Sequence, residues 1–228
     1  MTHLLTTQLP FTAEYDPWEG TVELKKASAG LRRRIENLRT EEILRRALAL
    51  AGEPLQVLDL YGHAGRFWNT LAEQPARHIL AAAPTEAELD LAIHYHGSAL
   101  RGRITALAAP TPTHLALADG AADCVLCLRA LLRIGSAVER HAVLRELHRV
   151  SRSSVILALR VDGNLQAWRR QRRHLRRLLR GEASTARGDV LTRSAAAEAF
   201  DAAGFDILTH FDILPRWGME RIYVLRRR

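Results

Sequence analysis

The chain has 228 residues, of which 47% are hydrophobic and 25% charged. That mixture excludes disorder, collagen and a disulfide-stapled miniprotein, and fits one ordinary domain able to bury about 70% of its chain surface. Thirty-three Lys and Arg against 25 Asp and Glu give a formal charge of +8, and lysine occurs only at Lys25 and Lys26. An arginine-dominated excess favours carboxylate or phosphate partners. No stretch approaches the roughly 20 apolar residues of a spanning helix, and the start lacks the order of a secretory signal, so the expected location is cytoplasmic, with peripheral membrane contact as an option.

Taken in chain order, Phe11 to Trp18 is an aromatic and acidic lead-in, and Val22 to Leu50 reads as a helix with basic polar faces. Leu55 to Leu60 is a short apolar run that enters a turn carrying Gly62 and Gly65, the pattern of a buried strand. His78 to Ala83 is a second strand, stopped by Pro84. Thr85 then stands at a helix N-cap with Glu88 three residues on, predicting a helix through His96.

Arg103 to Leu107 and Asp123 to Leu128 give the third and fourth strands. Val138 to Val150 carries a helical stripe, and Ser153 to Val161 returns to strand. This alternation predicts a parallel sheet with helices on both faces. After a helix over Ser194 to Ala203 closed by Gly204, the strand-like runs Phe205 to Leu214 and Met219 to Leu225 are joined by four residues, which allows only an antiparallel pair.

In this order of elements the chain resembles the class I S-adenosylmethionine-dependent methyltransferases, over about residues 40–228. Val57-Leu-Asp-Leu-Tyr-Gly-His-Ala-Gly-Arg-Phe67 is similar to the family's first motif: a strand, an acid and a glycine-rich loop. Asp119-Gly-Ala-Ala-Asp-Cys-Val-Leu-Cys127 is similar to the segment entering the fourth strand, and Glu139 to Arg160 to the following helix and fifth strand. The resemblance implies an α/β, Rossmann-like fold: a seven-stranded, mostly parallel sheet ending in an antiparallel hairpin, in a single domain over 1–228. It also implies S-adenosylmethionine as cofactor, with Asp59, Gly62, Gly65, Asp119 and Asp123 as candidate contacts.

The departures from that pattern carry the functional reading. Tyr61 and His63 stand where the family places the first two loop glycines, and each costs about 1–2 kcal/mol if the backbone keeps φ > 0. Ala83 stands where an acid ordinarily holds the ribose, removing a charge-assisted pair of roughly 1.5–3 kcal/mol. Cofactor binding is therefore expected to be weak or lost, with Tyr61, His63 and Phe67 as candidate fillers of the cleft. His63 is also the only candidate catalytic base. Asp59 either holds the cofactor or caps its loop, and Asp119 and Asp123 are either adenine neighbours or turn residues.

Two functions follow. In the first, the chain is a degenerate, methyltransferase-like protein that binds or stabilises a partner, such as an enzyme with anionic substrates. In the second, it is an active methyltransferase with a divergent loop, for which Gly65→Trp is expected to abolish turnover and leave melting nearly unchanged.

Trp168 to Arg180 is a separate feature, with Arg169, Arg170, Arg172, Arg173, Arg176, Arg177 and Arg180 and no acid. It sits in a basic helical insertion spanning about residues 163–185. Leu165, Trp168, Leu175, Leu178 and Leu179 make an apolar stripe beside these arginines. The helix is read as a solvated cover, a contact for anionic lipid headgroups or glycolipid, or a protein-partner surface. Nucleic acid fits less well, because interleaved aromatics for stacking bases are missing.

Cys124 and Cys127 have redox spacing, yet on a strand they face opposite sides and are read as core residues. Asp90, His94 and His96 lack a third ligand at fixed spacing, and no metal is expected.

Overall fold

The computed structural model describes residues 30–62, 65–96, 98–180 and 190–228. The lead-in over 11–18, the first part of the N-terminal helix, His63, the end of the basic insertion and the side chain of Arg177 lie outside the described residues. The chain begins with α1 (Leu31–Leu50), followed by β1 (Gln56–Leu60), α2 (Trp68–Ala72), β2 (His78–Ala83) and α3 (Glu86–His96). A 3-10 turn over Ser98–Arg103 leads to β3 (Ile104–Ala108) and β4 (Ala122–Cys127), and then to α4 (Ala130–Arg133), α5 (Ala137–Val150) and β5 (Ser151–Arg160). The chain ends with α6 (Leu165–Leu178), α7 (Arg193–Ala202), β6 (Phe205–Asp212) and β7 (Glu220–Arg227).

The seven strands form one sheet in the order β3-β2-β1-β4-β5-β7-β6. The first five run parallel, and β7 enters antiparallel between β5 and β6. The mostly parallel sheet with a reversed hairpin, expected from the short link after residue 214, is present. Register explains the small boundary differences. Ser151 both caps α5 and opens β5, so no loop separates helix from strand. β7 runs on to Arg227, because Ser154 of β5 and Phe205 of β6 give its last residues partners.

Alternate side chains divide the core into two layers. Leu58, Leu60, Val125, Cys127 and Leu157 pack under α5 and α7, where Leu144, Leu147 and Phe200 are buried. Val57, Cys124, Leu126 and Ile156 pack under α1, α2 and α3, against Leu44, Trp68 and Leu89. Cys124 and Cys127 thus face opposite layers, as strand geometry requires. Burial pushes their thiols up to about 11 and about 12. The strand order reverses between β1 and β4, and open α/β sheets bind ligands at such a switch point, outside the carboxyl ends of the strands.

Candidate functional site at the carboxyl end of β1

The carboxyl end of β1 is where Asp59 and the altered glycine loop meet. Asp59 lies between Ala81 of β2 and Leu126 of β4 and is 3% exposed. Burial pushes its carboxyl up to about 6, and a hydrogen bond from Trp68 partly offsets that rise. The next turn is left-handed at Tyr61, with φ +56, so the tyrosine holds the backbone conformation that glycine ordinarily supplies. Its hydroxyl donates to the carbonyl of Ala109 at 2.6 Å, and its amide donates to Ala82 O at 2.8 Å. The ring is thereby anchored in the core.

Gly62 is required by a close approach, since a Cβ there would lie 1.8 Å from Asp59 Oδ2. Gly65 has φ +73, and a Cβ on it would lie 2.4 Å from the Trp68 ring and 2.9 Å from His96. From the sequence, Gly65→Trp is expected to leave melting nearly unchanged. The structure corrects this, because the strand-one loop closes directly onto the indole.

Trp68 was missed as a site residue. It opens α2, is 2% exposed, stacks at 5.2 Å from the His96 ring and donates from Nε1 to Asp59 Oδ2 at 2.8 Å. With Trp68 and Tyr61 in place, the space left among Asp59, Gly62, Ala82 and Glu88 is about 20 Å³. That is room for about one water, which needs roughly 10–15 Å³ by this measure, whereas small-molecule sites run to roughly 300–1,000 Å³. Phe67, another expected filler, packs in the α1 layer with the Arg66 guanidinium 5.4 Å above its ring. Ala83 ends β2, and its carbonyl accepts from Ala109 N at 2.8 Å.

The structure does not bring Asp119 and Asp123 to this place. Val57 pairs with Cys124, so Asp123 lies level with Gln56 at the amino end of the sheet. Its Oδ2 accepts from Gln56 N at 2.9 Å and Leu55 N at 3.2 Å, and Oδ1 pairs with Arg152. Asp119 is exposed and pairs with Arg149 at 2.8 Å. Both tie the entry of β4 to its neighbours, which is the turn reading. The signal was available in the sequence: an acid that precedes a parallel strand sits at the end opposite the ligand crevice. On α3, Asp90 and His94 are exposed while His96 turns toward Trp68. Among the described residues no group of three or more His, Cys, Asp or Glu could hold a metal.

The basic helix α6 is fixed at its start. Asn164 Oδ1 accepts from Ala167 N at 2.9 Å, and the amides of Leu165 and Gln166 donate to Arg216 O and Trp217 O. Beyond that turn its apolar stripe faces outward, with Trp168 51%, Leu175 52% and Leu179 88% exposed. Arg172 lies over the Trp168 ring at 4.7 Å, and Arg169 over the exposed Trp217 at 5.9 Å. Arg173, Arg176 and Arg180 are exposed and Arg170 is half-buried. Among the described residues no helix is long and apolar enough to cross a membrane.

No protein-family model matches the chain, and no curated protein matches it. Solved structures do. Magnesium protoporphyrin IX methyltransferase from Synechocystis PCC 6803, with bound S-adenosylhomocysteine, superposes with a TM-score of 0.71 at 16% identity, over 92% of this chain and 95% of that one. A 1,6-didemethyltoxoflavin-N1-methyltransferase from Burkholderia thailandensis, bound to 1,6-didemethyltoxoflavin and S-adenosylhomocysteine, gives 0.62 at 17% identity, over 99% and 98%. The [4+2]-cyclase SpnF gives 0.59 at 16% identity, over 80% of each chain. The fold is that of the class I S-adenosylmethionine-dependent methyltransferases.

Proposed function

We propose that this chain is a methyltransferase-fold protein that has given up ordinary S-adenosylmethionine binding and acts as a binding or stabilising partner. The observation that carries this reading is the Trp68 indole hydrogen-bonded to Asp59 in a crevice with about 20 Å³ left. The residues there do not fit the cofactor. The acid that would hold its amino group is engaged by an indole N–H, the volume for its methionine end contains two aromatic rings, and Ala83 offers the ribose no carboxylate. The contact surface in this reading is the outward face of α6, where arginines flank Trp168, Leu175 and Leu179. Such a face suits an anionic partner with some apolar surface. The fold's appearance in a protein described as a [4+2]-cyclase supports separating this fold from methyl transfer.

One observation favours the second reading, an active methyltransferase with a divergent loop: Gly65 keeps φ +73, and Gly62 still leaves room for nothing larger. That reading requires Trp68 to leave the crevice. Thermal melting with and without S-adenosylmethionine separates the two. A ligand at a hundredfold its Kd adds about 2.7 kcal/mol of stability, so an unchanged melting temperature at millimolar cofactor supports the closed crevice, and a clear rise supports the enzyme.

A further inference from the structure

From Gln171 to Arg180, along the second half of α6 and just beyond it, every described side chain is exposed. The run 171–176 alone covers more than a full turn, so this part of the helix is open on all sides. A helix of a globular domain ordinarily turns its apolar stripe to the core. Here Trp168, Leu175 and Leu179, spaced by seven and four residues, place theirs in solvent. Beside the first turn of α6 lies an open groove of about 610 Å³, walled by Leu165, Leu214, Pro215 and the exposed Trp217. Arg169 and Arg173 also line it, and among the described residues no acid does.

Arg169, Arg172, Arg173, Arg176 and Arg180 are exposed beside these apolar groups. The sequence has no acid between Asp162 and Glu182, so no carboxylate stands three or four residues from any of the five along the helix. From Leu165 to Arg180 the polar side chains nearly all donate: arginine has five N–H donors and no acceptor, and only Gln166, Gln171 and His174 add acceptors. A protein surface offers donors as well as acceptors. An RNA backbone offers acceptors but no aliphatic layer for Leu175 and Leu179. An anionic bilayer interface offers both, phosphates at its surface and acyl chains within the roughly 5–10 Å to which an interfacial helix buries its apolar face. Tryptophan is at home at that depth. We propose that α6, with Trp217 beside its first turn, docks this protein on an anionic phospholipid surface, with Trp168, Leu175 and Leu179 entering the interface and the exposed arginines on the lipid phosphates. This names the partner of the α6 surface and rests on the reading of α6 as the contact surface, and it is independent of the crevice at Asp59.

The test is co-sedimentation of the full chain with vesicles of phosphatidylcholine alone, or of phosphatidylcholine and phosphatidylglycerol mixed two to one. Saturable binding to the mixed vesicles is expected, with phosphatidylcholine alone at least about tenfold weaker. Raising the salt from about 0.1 M to about 1 M shortens the screening length from about 10 Å to about 3 Å and should weaken binding markedly. Arg172→Gln with Arg176→Gln should weaken it by about thirtyfold, and Trp168→Ser with Leu175→Ser by at least about tenfold. Arg152→Gln with Arg226→Gln removes two exposed charges at the end of β5 far from α6 and should leave binding unchanged. Titration of the same preparation with S-adenosylmethionine keeps the two readings apart. A saturable isotherm alongside vesicle binding overturns the closed crevice alone, and loss of vesicle binding overturns the docking surface alone. No saturable binding at millimolar lipid, equal binding to phosphatidylcholine, an equal loss in the Arg152 and Arg226 variant, or capture by a single-stranded RNA oligomer but not by the vesicles would overturn the proposal.

Discussion

The indole N–H of Trp68 donates to Asp59 Oδ2 across 2.8 Å, and neither residue is more than 3% exposed. The pair joins the acid at the end of β1 to the first residue of α2, over the loop that bends between them. A buried carboxylate needs donors, and here one comes from the protein's own side chain.

Replacing Trp68 by Phe keeps most of the ring volume and removes that donor. Asp59 then loses the bond that holds its carboxyl down. Urea unfolding at neutral pH is expected to show a loss of about 1–3 kcal/mol. An unchanged midpoint would show that the indole contributes by shape alone.

Asp59 also gives a pH signature. Its carboxyl sits at about 6 in the folded chain, against about 3.9 when unfolded. Between these values the folded state binds more protons, so stability is full below about pH 4 and falls as pH rises through 6. Asp59→Asn removes this titration. The variant should gain on the natural chain across that window, by about 2–3 kcal/mol once both are above pH 7. Parallel curves of melting temperature against pH would contradict this assignment.

Gly65→Ala is expected to destabilise by more than 1 kcal/mol, because alanine is disfavoured at φ +73 and its Cβ meets the Trp68 ring. Gly65→Trp should then fail to fold normally, so it cannot serve as a clean block of cofactor binding. Chemical denaturation of Gly65→Ala checks the first step. A neutral effect would mean that the loop and indole move apart easily.

Tyr61→Phe removes the bond to Ala109 O and leaves the ring in place. The expected loss is about 1 kcal/mol, read from the shift in denaturation midpoint.

The stripe on α6 should matter little to the fold. Trp168→Ser and Leu175→Ser remove side chains that are about half exposed, and each should change stability by no more than about 0.5 kcal/mol. A loss like that of a core aromatic, about 3–5 kcal/mol, would show that α6 packs against the body.

Much of this molecule is legible in its sequence, for reasons that differ by element. β2 matches its predicted span because Pro84 ends an uninterrupted apolar run, and α3 starts where Thr85 caps it, accepting from Glu88 N. The reversed hairpin follows from link length. Tyr61 stands out because a bulky residue fills a glycine position. Trp68 does not, since at the start of an amphipathic helix it reads as one more core residue, and periodicity reports a face rather than the crevice an indole enters. Asp119 and Asp123 resembled a ligand motif, while strand direction placed them at the far end of the sheet. For α6, spacing revealed the stripe but could not show that Trp168 and Leu175 stand about half exposed.

The central claim, that Trp68 and Tyr61 occupy the space a nucleoside cofactor would need, is tested most directly by isothermal titration of the purified chain with S-adenosylmethionine and S-adenosylhomocysteine. The account predicts no saturable heat with either ligand up to millimolar concentration. A one-to-one isotherm with a micromolar Kd would contradict it, and would mean that the indole leaves Asp59 when the cofactor arrives.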